Sequence, residues 1–173
     1  VVLCGDHGVV KEGVTQTDSS VTKIVADNIA SGKASINIMA GKAGADVFPV
    51  DVGMVGEHYP NKEFQPMVMC DRKVAQGTGD IAVEPAMTQE QCLRAILAGM
   101  EVVADLSTQR YEMIGMGEMG IGNTTPSSAL VSVLLNLPAE EVTGRGAGLS
   151  DASYNKKVAV IEQAVKRYWK ATE

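Results

Sequence analysis

Residues 111–130, YEMIGMGEMGIGNTTPSSAL, bring an apolar run to a glycine-rich loop and begin a proline-led helix directly after it. Those residue types in that order describe a site for an anion. Gly117, Gly120 and Gly122 allow a ligand to approach the backbone closely, and Asn123, Thr124 and Thr125 supply donors where a helix starts. Pro126 fits a first helical turn, so Thr125 is the expected cap and 127–135 the expected helix body. Free amides and the positive end of the helix dipole then favour a phosphate. Glu118 is the odd member, because a carboxylate beside a phosphate is repelled unless it faces a cation or a hydroxyl; its expected place is by a sugar or a reacting carbon. The glycine spacing is neither G-x-G-x-x-G nor the P-loop pattern, which disfavours those two nucleotide folds. A plain strand-to-helix turn is the alternative meaning of the same residues.

A second glycine-rich loop, TGRGAG at 143–148, precedes a helix expected over 152–169 with Lys156 and Lys157 in its early turns. Adjacent lysines point about 100° apart on a helix, so only one of them faces a pocket. Arg145 either meets a ligand carboxylate or pins its loop to Glu140 or Glu141. Asp6 and His7 follow an apolar strand, at the end where open α/β sheets bind ligands. Asp6, His7 and His58 fall short of a metal centre's spacing and ligand number. Met113, Met116 and Met119 read as core and pocket lining rather than a copper site. No metal and no cofactor is expected.

These groups need a scaffold, and the pattern supplies one. Residues 1–5 read as a buried strand, 19–30 as a helix with Val21, Ile24, Val25 and Ile29 at helical spacing and Asp18 as its cap, and 34–42 as a short helix closed by Gly44. Residues 45–55 return as a strand with Asp51 near its end, and 56–79 form a long loop. Thr88 opens a strong helix to Leu106 with Leu93, Ile96, Leu97, Met100 and Val103 as its apolar positions. The last helix carries Val158, Ile161, Val165 and Trp169, and its pattern is still running at Lys170. Strands alternating with helices predict a single three-layer α/β/α domain over 1–173 with a mainly parallel, Rossmann-like sheet.

Composition narrows the class. A chain of 173 residues with 45% hydrophobic content suits a globular domain, and a net charge of -6 argues against nucleic acid or an anionic membrane as partner. Cys4, Cys70 and Cys92 lack a C-x-x-C pair and read as reduced, mostly buried thiols of a cytoplasmic protein. No run reaches the roughly 20 apolar residues of a membrane span. The chain opens directly on an apolar strand without an initiator Met. Both ends read as cuts through a longer protein.

Read in order, GDHGVVKEGV, VDVGM, EPAMT, GEMGIGNTTPSSAL and GRGAGLSDASYNKK resemble the nicotinate-nucleotide:5,6-dimethylbenzimidazole phosphoribosyltransferase family of cobalamin lower-ligand synthesis, over its central half. The resemblance implies transfer of 5-phosphoribose from nicotinate mononucleotide to a benzimidazole-type base, with inversion at the anomeric carbon, in a homodimer. It implies that Gly120, Ile121, Gly122, Asn123, Thr124 and Thr125 cradle the phosphoribosyl group, with Lys157 as the phosphate cation and Glu118 near the ribose. Gly144, Arg145 and Gly146 belong to the loop implied to close over the nucleotide, and Asp6, His7 and Thr15 to the border of the base pocket. Thr15 stands where the family often has Ser. The family's general base is a Glu in a C-terminal segment that no residue here matches, which implies a weakly active or inactive piece. A phosphate-binding domain without catalysis and a metal-dependent hydrolase are the competing classes.

Overall fold

The computed structural model describes residues 1–169, the side chain of Trp169 excepted, so the stripe position given to Trp169 and the helical pattern at Lys170 lie outside the described residues. The chain divides into two compact units. One takes in Val1–Asp6, Ser20–Thr78 and Met87–Gly120; the other takes in His7–Ser19, Gly79–Ala86 and the chain from Ile121 onward.

The first unit is built on a parallel sheet of β1 (Val2–Gly5), β2 (Pro49–Gly53), β3 (Cys70–Asp71) and β4 (Gly117–Met119), in the order β3-β2-β1-β4. Successive side chains on a strand point to opposite faces, and the residues sort accordingly. Val2 and Cys4 join Ala26 and Ile29 of α1 (Ser20–Ala30) in one core, with Ala40 of α2 (Ser35–Ala43) packed against it. Leu3, Phe48, Val50 and Val52 join Val102 and Leu106 of α3 (Gln89–Thr108) in the other. Helices therefore cover both faces, which is the expected three-layer α/β/α, Rossmann-like arrangement.

Local signals fix several elements. Thr88 Oγ1 accepts the Gln91 amide at 3.1 Å while Gln91 Oε1 accepts the Thr88 amide at 2.8 Å, a complete capping box that starts α3. Gly44 closes α2 in the left-handed conformation. Other expectations fail for physical reasons. The buried stripe of α3 is Ala98, Val102 and Leu106, whereas Leu93, Ile96, Leu97, Met100 and Val103 are exposed; the helix has two apolar stripes, and the one containing the small Ala98 meets the sheet. Ile24 of α1 is likewise exposed, with Thr22, Ala26 and Ile29 buried in its place. β3 lies inside the segment expected to be loop, formed by pairing with β2 rather than by any local pattern. Asp51 lies two residues before the end of β2, near it as expected, and is fully buried. Met113 is 90% exposed and Met116 is exposed with it; only Met119 packs into a core. No helix among the described residues is long and apolar enough to cross a membrane. All three cysteines are free, Cys4 and Cys70 buried and Cys92 exposed.

The second unit comprises a 3-10 helix (Gly8–Glu12), α4 (Thr124–Leu135), α5 (Ala139–Val142) and α6 (Asp151–Trp169). Val9, Val14, Ile81, Ala82, Val160 and Ala164 form its core. The buried face of α6 runs Lys157, Val160, Ile161, Ala164, a one-sided helical spacing that begins with a lysine. α5 is tied to α4 by Ser128 Oγ donating to the Val142 carbonyl at 2.9 Å. Ser132 Oγ donates to the Leu137 carbonyl at 2.6 Å beside it.

Candidate functional site

Within the second unit, α4 begins two residues earlier than the proline suggests. Asn123 is the cap, with helical φ -50° and ψ -35° and no side-chain cap bond, so Thr125 lies inside the helix rather than at its cap. Pro126 remains compatible because the first four amides of a helix have no intrahelical acceptor in any case. Gly122 explains the tightness of this corner. Its φ is +87°, and a Cβ there would stand 2.8 Å from Val10 Cγ2 and 3.5 Å from Thr15 Cγ2. Only glycine gives both the left-handed backbone and the space. His7 borders the same position, its Cβ 3.9 Å from where that atom would stand.

Lys157 is the electrostatic centre of the unit. It is 1% exposed, and its Nζ donates to Thr124 Oγ1 at 2.7 Å and to the Gly144 carbonyl at 2.9 Å. Neither acceptor carries a charge, and among the described residues no carboxylate pairs with it. Burial alone pulls its ammonium below the ordinary lysine value. Two of its three donor hydrogens are engaged, leaving one for a further acceptor. Thr125 Oγ1, in the same turn of α4, is fully buried without a hydrogen-bond partner. A buried cation beside a helix N-terminus favours an incoming anion.

The 143–148 loop folds over the same corner. Gly146 has φ +54°, and a Cβ there would approach Thr124 Oγ1 to 3.3 Å and Lys157 Nζ to 3.8 Å. Arg145 pins the loop, but not to Glu140 or Glu141. Its Nη1 donates to the Leu149 carbonyl at 2.9 Å, its Nη2 to Asp151 Oδ1 at 2.6 Å, and its guanidinium lies 4.9 Å from the Tyr154 ring centre. Gln16, which has no motif around it, donates from Nε2 to the Gly148 carbonyl at 2.6 Å and links the Thr15 loop to this one. Sequence reasoning missed Gln16 and Val10, since a loop amide and a valine wall leave no signature. The structure thus gathers His7, Thr15, Gly122, Thr124, Gly144, Gly146 and Lys157 in one unit. Asp6 and Glu118 belong to the sheet unit. Asp6 Oδ2 accepts the Val55 amide at 2.7 Å while its Oδ1 is buried without a partner, and Glu118 lies exposed on β4, in register with Leu3.

Comparison with known proteins identifies the architecture. A profile described as phosphoribosyltransferase matches residues 1–173, and similar proteins carry the name nicotinate-nucleotide–dimethylbenzimidazole phosphoribosyltransferase. The chain belongs to this family. The phosphoribosyltransferase of Desulfotalea psychrophila is 43% identical over 166 residues, covering 96% of this chain and 46% of the relative. That of Chlorobaculum tepidum is 44% identical over 168 residues, covering 95% and 46%. A crystal structure of CobT from Thermus thermophilus superposes with a TM-score of 0.89 at 40% identity, covering 96% of this chain and 48% of that one. The chain spans about half the length of the phosphoribosyltransferases it matches.

Proposed function

We propose that this chain carries the phosphoribosyl-binding part of an enzyme that moves 5-phosphoribose from nicotinate mononucleotide to 5,6-dimethylbenzimidazole or a related base, giving alpha-ribazole 5'-phosphate and nicotinate. The observation that carries the reading is Lys157, buried with only neutral acceptors beside the N-terminus of α4. A 5'-phosphate supplies the missing negative charge. The names of the relatives supply the two substrates.

Glycosyl transfer requires a held phosphate, a shielded cationic centre at C1′ and removal of a proton from the attacking nitrogen. In this reading Ile121, Gly122, Asn123, Thr124 and Thr125 hold the phosphate with Lys157, and Gly144, Arg145 and Gly146 close over it; the cradle role of Gly120, which belongs to the sheet unit, rests on the family resemblance. His7 and Thr15 border the base. The ribose-side role of Glu118 and the base-side role of Asp6 rest on the family resemblance. Positioning contributes several kcal/mol to such a reaction, and a general base typically about 10²- to 10⁴-fold. No residue of the chain matches the family's general base, so the 173-residue chain binds substrate and turns over slowly or not at all. The working protein is a cytoplasmic homodimer in this reading, and the net charge of -6 disfavours nucleic acid and anionic membranes as partners.

Calorimetric titration with nicotinate mononucleotide, without added metal, tests the proposal. Saturable binding that disappears in Lys157→Ala is expected. Equal binding of ribose 5-phosphate would reduce the reading to a phosphate-binding domain, and no binding by the folded chain would remove it.

A further inference from the structure

The sheet unit holds a second concentration of positive charge, unrelated to the cradle residues. A cavity of about 370 Å³ opens beside β3 and α3. Its floor is Asp71, 2% exposed, whose carboxylate accepts His58 Nδ1 at 2.7 Å, Lys62 Nζ at 2.5 Å and the Lys73 amide at 2.9 Å. Burial would raise this carboxyl, but the Lys62, Lys73 and His58 hydrogen bonds and the Lys62 charge outweigh it and hold it at about 2. Asp71 is therefore ionised at neutral pH and has no proton to give, so His58 Nδ1 is the donor. The imidazole is held by one nitrogen with Nε2 on its other side.

The wall of the cavity comes from one face of α3. Arg94, Leu97, Ala98 and Glu101 follow the i, i+3, i+4, i+7 spacing that places residues side by side on a helix. Arg94 makes no hydrogen bond or ion pair among the described residues. Arg72 enters from the end of β3, with Nε donating to Glu101 at 3.1 Å and Nη1 to the Lys62 carbonyl at 2.7 Å. Its Nη2 has no partner among the described residues. Lys73 is committed to the Gly56 and Glu57 carbonyls and to Asp51. Lys62, Arg72 and Arg94 are left against Asp71 and Glu101, an excess of one positive charge before His58 is counted. Two guanidinium groups with unused donors match the geometry of phosphate oxygens better than point charges do. Val74, Leu97 and Ala98 add an apolar surface beside them.

We propose that this cavity is a binding site for a small phosphate monoester, its charged group on Arg72 and Arg94 beside His58 and its organic body against Val74, Leu97 and Ala98. The site is separate in residues from the cradle around Lys157 and does not rest on the reading given for it. The chain has two histidines, His7 and His58, and they fall in different units, so their ring proton and carbon resonances report the two sites separately.

The test is an NMR titration of the whole chain with inorganic phosphate and with phenyl phosphate, at constant ionic strength in chloride. The His58 resonance is assigned by its loss in His58→Gln. Phenyl phosphate is expected to shift the His58 resonance at a concentration at least tenfold below that required of inorganic phosphate. Arg94→Gln should abolish that shift and leave the His7 response intact, while Lys157→Met should do the reverse. A His58 resonance that neither compound moves overturns the site, as does a shift that survives Arg94→Gln. Equal potency of the two compounds overturns the assignment to an ester. Failure at His7 with success at His58 would count against the cradle reading alone.

Discussion

Among the described residues two lysines are buried, and their surroundings differ in one respect. Lys73 donates to the Gly56 and Glu57 carbonyls at 2.8 and 3.0 Å, and its Nζ stands 3.3 Å from Asp51 Oδ2, at ion-pair distance though not aligned as a hydrogen bond. Lys157 donates to a hydroxyl and a carbonyl and has no carboxylate among the described residues. Burying a charge is costly unless it is paired. Lys73 meets that requirement within the folded chain, whereas Lys157 leaves it unmet. The first is a structural cation, and the second, in the function proposed above, takes its counter-charge from a phosphate. The carboxylate partner shows the same contrast from the other side: burial pushes the Asp51 carboxyl up, opposed by the Met54 and Gly53 amides and by Lys73.

The comparison is broken most severely at Asp51. Asp51→Ala leaves Lys73 buried without its charge and strips acceptors from the Gly53 and Met54 amides, which Oδ1 holds at 3.0 and 2.8 Å. Removing one member of a buried pair costs about 3–5 kcal/mol, so a large fall in the urea midpoint is expected. Because an apolar replacement of both members is often near neutral, Asp51→Leu with Lys73→Met should recover most of that loss. A double variant as unstable as the single one would show that the backbone bonds of Asp51 dominate, and the two lysines would then differ less than their partners suggest.

An effect overlapping the first in size is expected at Gly122, which shapes the corner beside Thr124. Left-handed backbone strain and overpacking each contribute about 1–3 kcal/mol. Gly122→Ala carries both, because the 2.8 Å approach to Val10 is made by Cβ itself. Thermal unfolding of Gly122→Ala beside the pair Gly122→Ala, Val10→Ala separates them: the part recovered is the clash, and the remainder is the φ of +87°. Nicotinate mononucleotide binding should fail in both, since the strained backbone persists.

How much of this contrast is legible in the sequence depends on whether its cause is local. The Thr88 and Gln91 capping box and the Gly44 stop act within a few residues, and both are readable in advance. β3 is two residues long and exists through its pairing with β2, so no periodicity announces it. The two apolar stripes of α3 are equally visible in the sequence, but which one meets the sheet is a tertiary choice. The choice between Lys156 and Lys157 is similar. It follows from the phase of Val160, Ile161 and Ala164, which puts Lys157 one turn earlier on the buried side of α6. The glycine-rich loops are conspicuous because the tight corner at Gly122 and Gly146 needs a left-handed backbone and no Cβ. Neutral surroundings around a lysine have no sequence signature at all.

The smallest stability effect is expected where the binding effect is decisive. Lys157→Met keeps the length and apolar stem of the side chain and removes a buried charge with no charged partner, offset by the loss of its donors to Thr124 Oγ1 and the Gly144 carbonyl, so the urea midpoint should change little. Binding of nicotinate mononucleotide should fall about 10- to 100-fold, the range of a charged hydrogen bond. The pH dependence supplies an independent check. The folded ammonium titrates below the ordinary value of 10.5 that applies in the unfolded chain. Between those two values the unfolded chain binds more protons, so stability contributed by this group rises with pH across that window and levels off above it. The difference in midpoint between the parent chain and Lys157→Met, followed upward in pH, should therefore shift in favour of the parent. A bound phosphate restores the missing charge and lifts the lysine again, so ligand binding in the same window should take up protons. Calorimetry in buffers of different ionisation enthalpy measures that uptake, and its absence in a parent chain that still binds would mean that Lys157 does not face the phosphate.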